Sequence, residues 1–230
     1  MFQPDLIIEA TATCDRACAG CYAPNVTVAK SDAAVFYSEH PELFLNPNVV
    51  ETSLSALPRT PTLISIRGGE PTQHPELAAI IQSCLKHAKT VVLETHGRWL
   101  LPKDVAHYKA LLPVLMQSNV VIKLSFDQMH GLSVDDLKTI TDILGFNNLQ
   151  YLIAITEPDD ASLRSSRARC SWIPDDNIVY QPKAATLKDL TAPPLGVLTV
   201  KGSLVRTLTV KQTFLAISNV NNREESRLAI

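Results

Sequence analysis

The 230-residue chain lacks an excess of either charge: 21 Lys and Arg stand against 23 Asp and Glu, a formal net charge of −2. A surface built to hold a polyanion needs a basic surplus, so bulk nucleic acid is disfavoured as the main partner, although a small basic pocket stays open. No apolar run approaches the length of a membrane span. The opening MFQPDLIIEATATCDRAC has no basic n-region ahead of its first apolar residues, which leaves the cytosol as the expected compartment. Low-complexity tracts and short repeats are missing too, and an apolar share of 46% is ample for one packed core. Cysteine is scarce, with five in all, and a cytosolic setting disfavours disulfides among them.

What is present is an alternation of short apolar strands and amphipathic helices. Strands are expected at Leu6–Glu9, Leu63–Ile66, Val91–Glu94, Val120–Phe126, Leu149–Ile155 and Ile178–Tyr180. Residues 23–47 read as irregular, with one helical turn around Asp32–Ser38. Helices are expected at Asn48–Leu57, His74–Ala88, Lys103–Met116, Ser133–Leu144 and Leu163–Cys170. Pro113 is expected to bend or end its helix, Ser133 to cap its own, and Gly145 to terminate that same helix. A βα pattern repeated about six times builds a parallel sheet. Beyond it, Gly196–Val200 and Leu204–Val210 flank Lys201-Gly202-Ser203 and read as a β-hairpin, with a further strand at Phe214–Ile217. The expected organisation is an α/β core over residues 1–183 and a C-terminal extension with the hairpin over 184–230.

Three of the five cysteines, Cys14, Cys18 and Cys21, fall within eight residues. Their thiolates can converge from one loop and are soft donors, suited to an iron–sulfur cluster, zinc or copper(I). No nearby cysteine offers a fourth ligand. Either a histidine or another residue completes a zinc site, or one position is left open for a substrate or cofactor. Cys84 lies on the apolar face of its helix and reads as a core thiol, and Cys170 alone cannot build a second cluster. His74, His87 and His107 sit at or within helical segments and read as structural or solvent-facing.

The Cys-x3-Cys-x2-Cys spacing resembles the signature of the radical S-adenosylmethionine superfamily. Gly68-Gly69-Glu70-Pro71, after the second long strand, is similar to that family's Gly-Gly-Glu-Pro segment. Glu94-Thr95-His96-Gly97 is similar to its Glu-Thr-Asn-Gly segment, with His96 in place of asparagine, and Ser125-Phe126-Asp127 to its Ser-x-Asp segment. The resemblance covers roughly residues 5–183. It implies a partial (β/α)6 barrel of the TIM type. Cys14, Cys18 and Cys21 would bind a [4Fe-4S] cluster whose fourth iron binds S-adenosylmethionine. Gly68, Gly69 and Glu70 would meet the methionine end of that cofactor, with Glu94, Ser125 and Asp127 as further cofactor contacts. Asp127, His96 and His130 would be the groups available for substrate contact or proton transfer. An external electron donor such as flavodoxin or ferredoxin is implied, with a peptide, natural product or other small molecule as substrate. Two features depart from the family. Gly20 stands where an aromatic residue often precedes the third cysteine, leaving Tyr22 as the candidate for adenine packing. The glycine-rich segment usual after the fifth strand is replaced by Thr156-Glu157-Pro158. Arg164, Arg167 and Arg169 read as a solvated charged face or a substrate carboxylate or phosphate contact, and Lys183 as a weaker carboxylate contact.

Overall fold

The computed structural model describes residues 4–18, 21, 26–29, 32–101, 105–127, 130–157, 159–182, 196–202 and 204–205. Tyr22, Gly20, Lys183 and Phe214–Ile217, all singled out from the sequence, lie outside them, as does the side chain of His107.

The strands follow the apolar segments closely. In chain order they are β1 (Leu6–Glu9), β2 (Thr13–Cys14), β3 (Val26–Thr27), β4 (Leu63–Arg67), β5 (Thr90–Thr95), β6 (Val120–Ser125), β7 (Gln150–Glu157), β8 (Ile178–Pro182), β9 (Gly196–Leu198) and β10 (Leu204–Val205). The helices are α1 (Ala33–Glu39), α2 (Pro47–Ser55), α3 (Leu77–His87), α4 (Val105–Leu115), α5 (Val134–Phe146) and α6 (Asp160–Ala168). Eight strands form one sheet in the order β10-β9-β1-β4-β5-β6-β7-β8, parallel throughout except for the β9–β10 hairpin, while β2 and β3 pair separately. The hairpin expected from the sequence therefore forms, and its first strand adds to the main sheet beside β1.

Period-2 patterning decides the two faces. Leu6 and Ile8, Ile64 and Ile66, Val91 and Leu93, Ile122 and Leu124, and Ile153 and Ile155 pack in one core with residues of α2, α3, α4 and α5. The alternate residues look the other way, and several of them, including Ile7, Val92, Lys123 and Ala154, are buried as well. A sheet with helices on one side and a second, inward face also removed from water is a curled sheet. Its end strands, β10 and β8, are not paired with each other, so the barrel is partial.

Several element ends differ from the sequence expectation. Residues 71–73 form a 3-10 turn, and α3 starts at Leu77 rather than His74, because the Glu70 carboxylate caps that turn through Thr72 N–H. Pro113 does not end α4, which runs two residues further to Leu115. Gly145 does not terminate its helix either. The stop is a Schellman motif: Leu149 N–H donates to Leu144 O and Asn148 N–H to Gly145 O, with Asn148 at φ 52°. Ser133 caps α5 as expected, accepting from Asp136 N–H at 3.0 Å. No helix among the described residues is long and apolar enough to cross a membrane.

Candidate functional site

The C-terminal ends of β1, β4, β5 and β6 carry the sequence-predicted residues, and the backbone ties the first two of those ends together. Ala10 N–H donates to Arg67 O, Gly69 N–H to Thr11 O at 2.7 Å, and Glu70 N–H to Thr13 O at 2.8 Å. Gly68 makes this lacing possible. Its φ is 155°, and a Cβ there would lie 2.3 Å from Thr11 O, closer than any side chain can come. Within the cysteine approach, Thr13 N–H donates to the Thr11 hydroxyl, which in turn donates to Leu43 O. Cys14 therefore leaves a braced segment, directly after the residue whose carbonyl holds Glu70.

Glu70 is buried, and its carboxylate joins its own turn to the end of β5. It accepts from Thr72 N–H and the Thr72 hydroxyl, from the Thr95 hydroxyl at 2.7 Å and from His96 N–H at 3.1 Å. His96 sits between this hub and the cysteine loop. Its Nδ1 accepts from Arg98 N–H, which places a proton on Nε2, 2.8 Å from Asp15 Oδ1 and 3.2 Å from Glu70 Oε2. Ligand atoms of Cys14, Asp15 and His96 all lie within 4.8 Å of one another, a mixed sulfur, oxygen and nitrogen set able to hold a metal ion.

None of the five cysteines is in a disulfide. Cys14 is buried, Cys18 is half-buried and Cys21 is exposed, with Cys21 N–H donating to Cys18 O at 3.1 Å. Burial, with the Glu70 carboxylate adding to it, pushes the Cys14 thiol up to about 12, so a ligand there must displace its proton. Cys84 and Cys170 are packed into the core. Three thiols on one loop, with the other two sequestered elsewhere, match the donor set of a thiolate-held iron–sulfur group with one non-cysteine position.

The loop after β6 completes the rim. Asp127 is buried and accepts from His130 N–H at 2.9 Å and from His130 Nδ1 at 2.8 Å. Arg16, from within the cysteine motif, donates to His130 O at 3.3 Å, and Arg98 donates to Gly131 O. His96 thus meets the cysteine motif at Asp15, and the Asp127–His130 pair meets it at Arg16. Ser125 is half-buried at the end of β6. Glu94 lies one layer lower on the inward face, accepting from Ser65 and paired with Lys123 at 3.1 Å. Burial alone would raise its pKa, but Lys123 and Arg67 outweigh that and hold it below the usual carboxylate range.

Three other sequence candidates, His74, His87 and Arg167, fall away from this region. His74 is buried in a structural clip, with Nε2 2.9 Å from Leu45 O and Nδ1 accepting from Glu76 N–H. His87 pairs with Glu51 on the surface. Arg167 is occupied by Asp175 and by the carbonyls of Cys170 and Ile173, and Arg169 lies 5.1 Å from the Phe126 ring centroid.

Asp15 escaped the motif-based reading, as did Glu9, Arg67 and Lys123. The register sets Glu9 beside Arg67 and Glu94 beside Lys123, and one step beyond Ile66–Leu93 it sets Arg67 beside Glu94. Charges of alternating sign thus run across four adjacent strands on the inward face. The signal was available in the sequence as single charged residues at period-2 positions in apolar strands.

No family model matches the chain, and no curated protein matches it. Solved structures of Streptococcus suis SuiB resemble it remotely. SuiB bound to precursor peptide SuiA aligns at 14% identity and a TM-score of 0.49, covering 77% of this chain and 39% of that one. SuiB bound to S-adenosylmethionine aligns at 11% identity and a TM-score of 0.47, covering 93% and 46%. A third SuiB structure aligns at 12% identity and a TM-score of 0.40, covering 97% and 63%. The chain spans less than two thirds of the length of each.

Proposed function

We propose that the chain is a radical S-adenosylmethionine enzyme whose single [4Fe-4S] cluster is held by Cys14, Cys18 and Cys21. The observation that carries this reading is the backbone lacing of Thr11 to Gly69 and Thr13 to Glu70. It sets the Gly-Gly-Glu-Pro loop against the base of the cysteine loop at the C-terminal ends of adjacent parallel strands, where α/β barrels carry their ligands.

When bound and reduced, the cluster would supply the one-electron cleavage of S-adenosylmethionine that yields a hydrogen-abstracting 5′-deoxyadenosyl radical. The chain's own residues bind and orient. Backbone carbonyls of the Gly68–Glu70 loop accept from the ammonium of S-adenosylmethionine. The Glu70 side chain is already engaged by Thr72, Thr95 and His96, so it acts by holding that loop. Ser125 offers a hydroxyl to the cofactor. Asp127 fixes the His130 imidazole through Nδ1, which leaves Nε2 as the atom that exchanges a proton with substrate. Hydrogen abstraction itself needs no base, so these groups serve a later proton transfer. A peptide or natural product is the substrate class we favour, on the Cys-Ala-Gly-Cys-Tyr loop, with flavodoxin or ferredoxin as the electron source.

The Cys14, Asp15 and His96 set favours a second reading, a zinc-stabilised binding module. Metal content separates the two. After anaerobic reconstitution, the enzyme is expected to be brown, to hold about four irons and to release 5′-deoxyadenosine on reduction. The Cys18→Ala variant should lose the iron and the product while staying folded, since Cys18 is only half-buried. A colourless zinc protein that leaves S-adenosylmethionine intact would overturn the reading.

A further inference from the structure

The inward row of charges is not evenly satisfied. Glu94 has Ser65 and Lys123 as partners. Glu9, at the end of β1, is 1% exposed, and neither of its carboxylate oxygens has a hydrogen-bond partner among the described residues. The cation beside it is Arg67, 3.8 Å away, within reach of its charge and too far for a hydrogen bond.

This combination specifies a ligand chemistry. A second cation beside Glu9 would be repelled by Arg67. The charge has a counterion already, and what the carboxylate lacks is donors. A neutral group bearing N–H meets both conditions, because it fills the empty acceptor sites without adding charge. Glu9 also stands directly before the Ala10–Cys14 approach and beside Arg67, the last residue of the strand that leads into Gly68-Gly69-Glu70. We propose that Glu9 is a substrate-contacting residue at the C-terminal end of β1 and accepts hydrogen bonds from a neutral amide of the substrate, as a peptide or carboxamide offers. The inference rests on the proposed function only in taking the strand ends as the ligand site. Arg67, Glu94 and Lys123 are the charged groups of the same row that set the potential at the subsite.

The probe is N-acetylglycinamide, a neutral compound with amide N–H donors. Methyl acetoxyacetate, which has none, and the cation glycinamide serve as controls. The readout is the infrared carboxyl band of the full-length chain, assigned by its disappearance in Glu9→Gln, together with ligand-observed nuclear magnetic resonance. Saturable binding of the neutral amide that shifts the Glu9 band, with weaker binding of both controls, is the expected result. At pH 8, where the carboxylate is ionised, affinity should fall about tenfold or more in Glu9→Gln, as loss of a charge-assisted hydrogen bond requires. An unmoved band, equal binding of the ester, tighter binding of the cation, or unchanged affinity in a folded Glu9→Gln protein would each overturn the proposal. Measurement with and without reconstituted iron keeps the two ideas apart, since failure to hold iron counts against the enzyme reading alone.

Discussion

At the scale of single residues, the chain concentrates its unusual electrostatics in a few buried carboxylates, and Glu9 and Glu70 show two ways of burying one. Glu70 collects donors from its own turn and from the end of β5 and becomes a structural joint. The Glu9 carboxylate has a charge partner and no hydrogen-bond partner among the described residues, so burial pushes it up to about 7, with Arg67 pulling the other way. A carboxyl raised on folding stabilises the protein fully below its ordinary pKa. That contribution fades as pH climbs toward the raised value, because the folded state holds the proton that the unfolded chain has released. Glu9→Gln cannot titrate and should lack this fall. Between pH 4.5 and 7 the wild-type chain is therefore expected to lose roughly 3 kcal/mol relative to Glu9→Gln, because each tenfold difference in proton affinity between the folded and unfolded chain is worth about 1.4 kcal/mol. Denaturant melts of both proteins across that range measure the difference; parallel curves would mean that Glu9 is not destabilised by burial.

At the scale of elements, strands were more legible than loops. An apolar run of four to six residues in a parallel sheet is buried on both faces, so composition alone marks it. Helix ends were less legible, because they turn on particular hydrogen bonds. The Gly145 expectation failed since Asn148 adopts the left-handed conformation two residues after the helix ends, and Asn is the residue other than glycine that tolerates it best. The α3 start moved because residues 70–73 serve the Glu70 joint instead. Gly-Gly-Glu-Pro was legible as a motif, but its partner strand was not. Gly68→Ala should test that pairing. The new Cβ meets a backbone carbonyl that cannot rotate away, so the β1 and β4 ends must separate. The expected cost is about 2 kcal/mol or more, with a loss of bound iron larger than the loss of helical signal in circular dichroism. Gly145→Ala, with open space around its Cβ, is the control and should be neutral or stabilising.

At the scale of the whole molecule, the C-terminal hairpin covers an edge. Without β9, strand β1 would be the sheet's terminal strand, with Glu9 and the start of the cysteine loop beside an open backbone. Leu198 binds the hairpin to the core: it pairs with Ile8, and both are fully buried. Leu198→Ala is expected to cost about 2–4 kcal/mol and to speed hydrogen exchange at the amides of β1 ahead of those of β7, as read by mass spectrometry. Uniform acceleration across the sheet would show that the hairpin is no local brace.

The amino-acid sequence alone determined the βα order, the parallel sheet, the three-thiol loop and the strand-end motifs, because each depends on residue type at short, regular spacing. Only the tertiary structure decided that Glu70 is a joint, that His96 bridges it to Asp15, and that Glu9, Arg67, Glu94 and Lys123 form one inward row. Those facts depend on strand register and on which buried groups find partners, and both are set between segments that lie far apart along the chain.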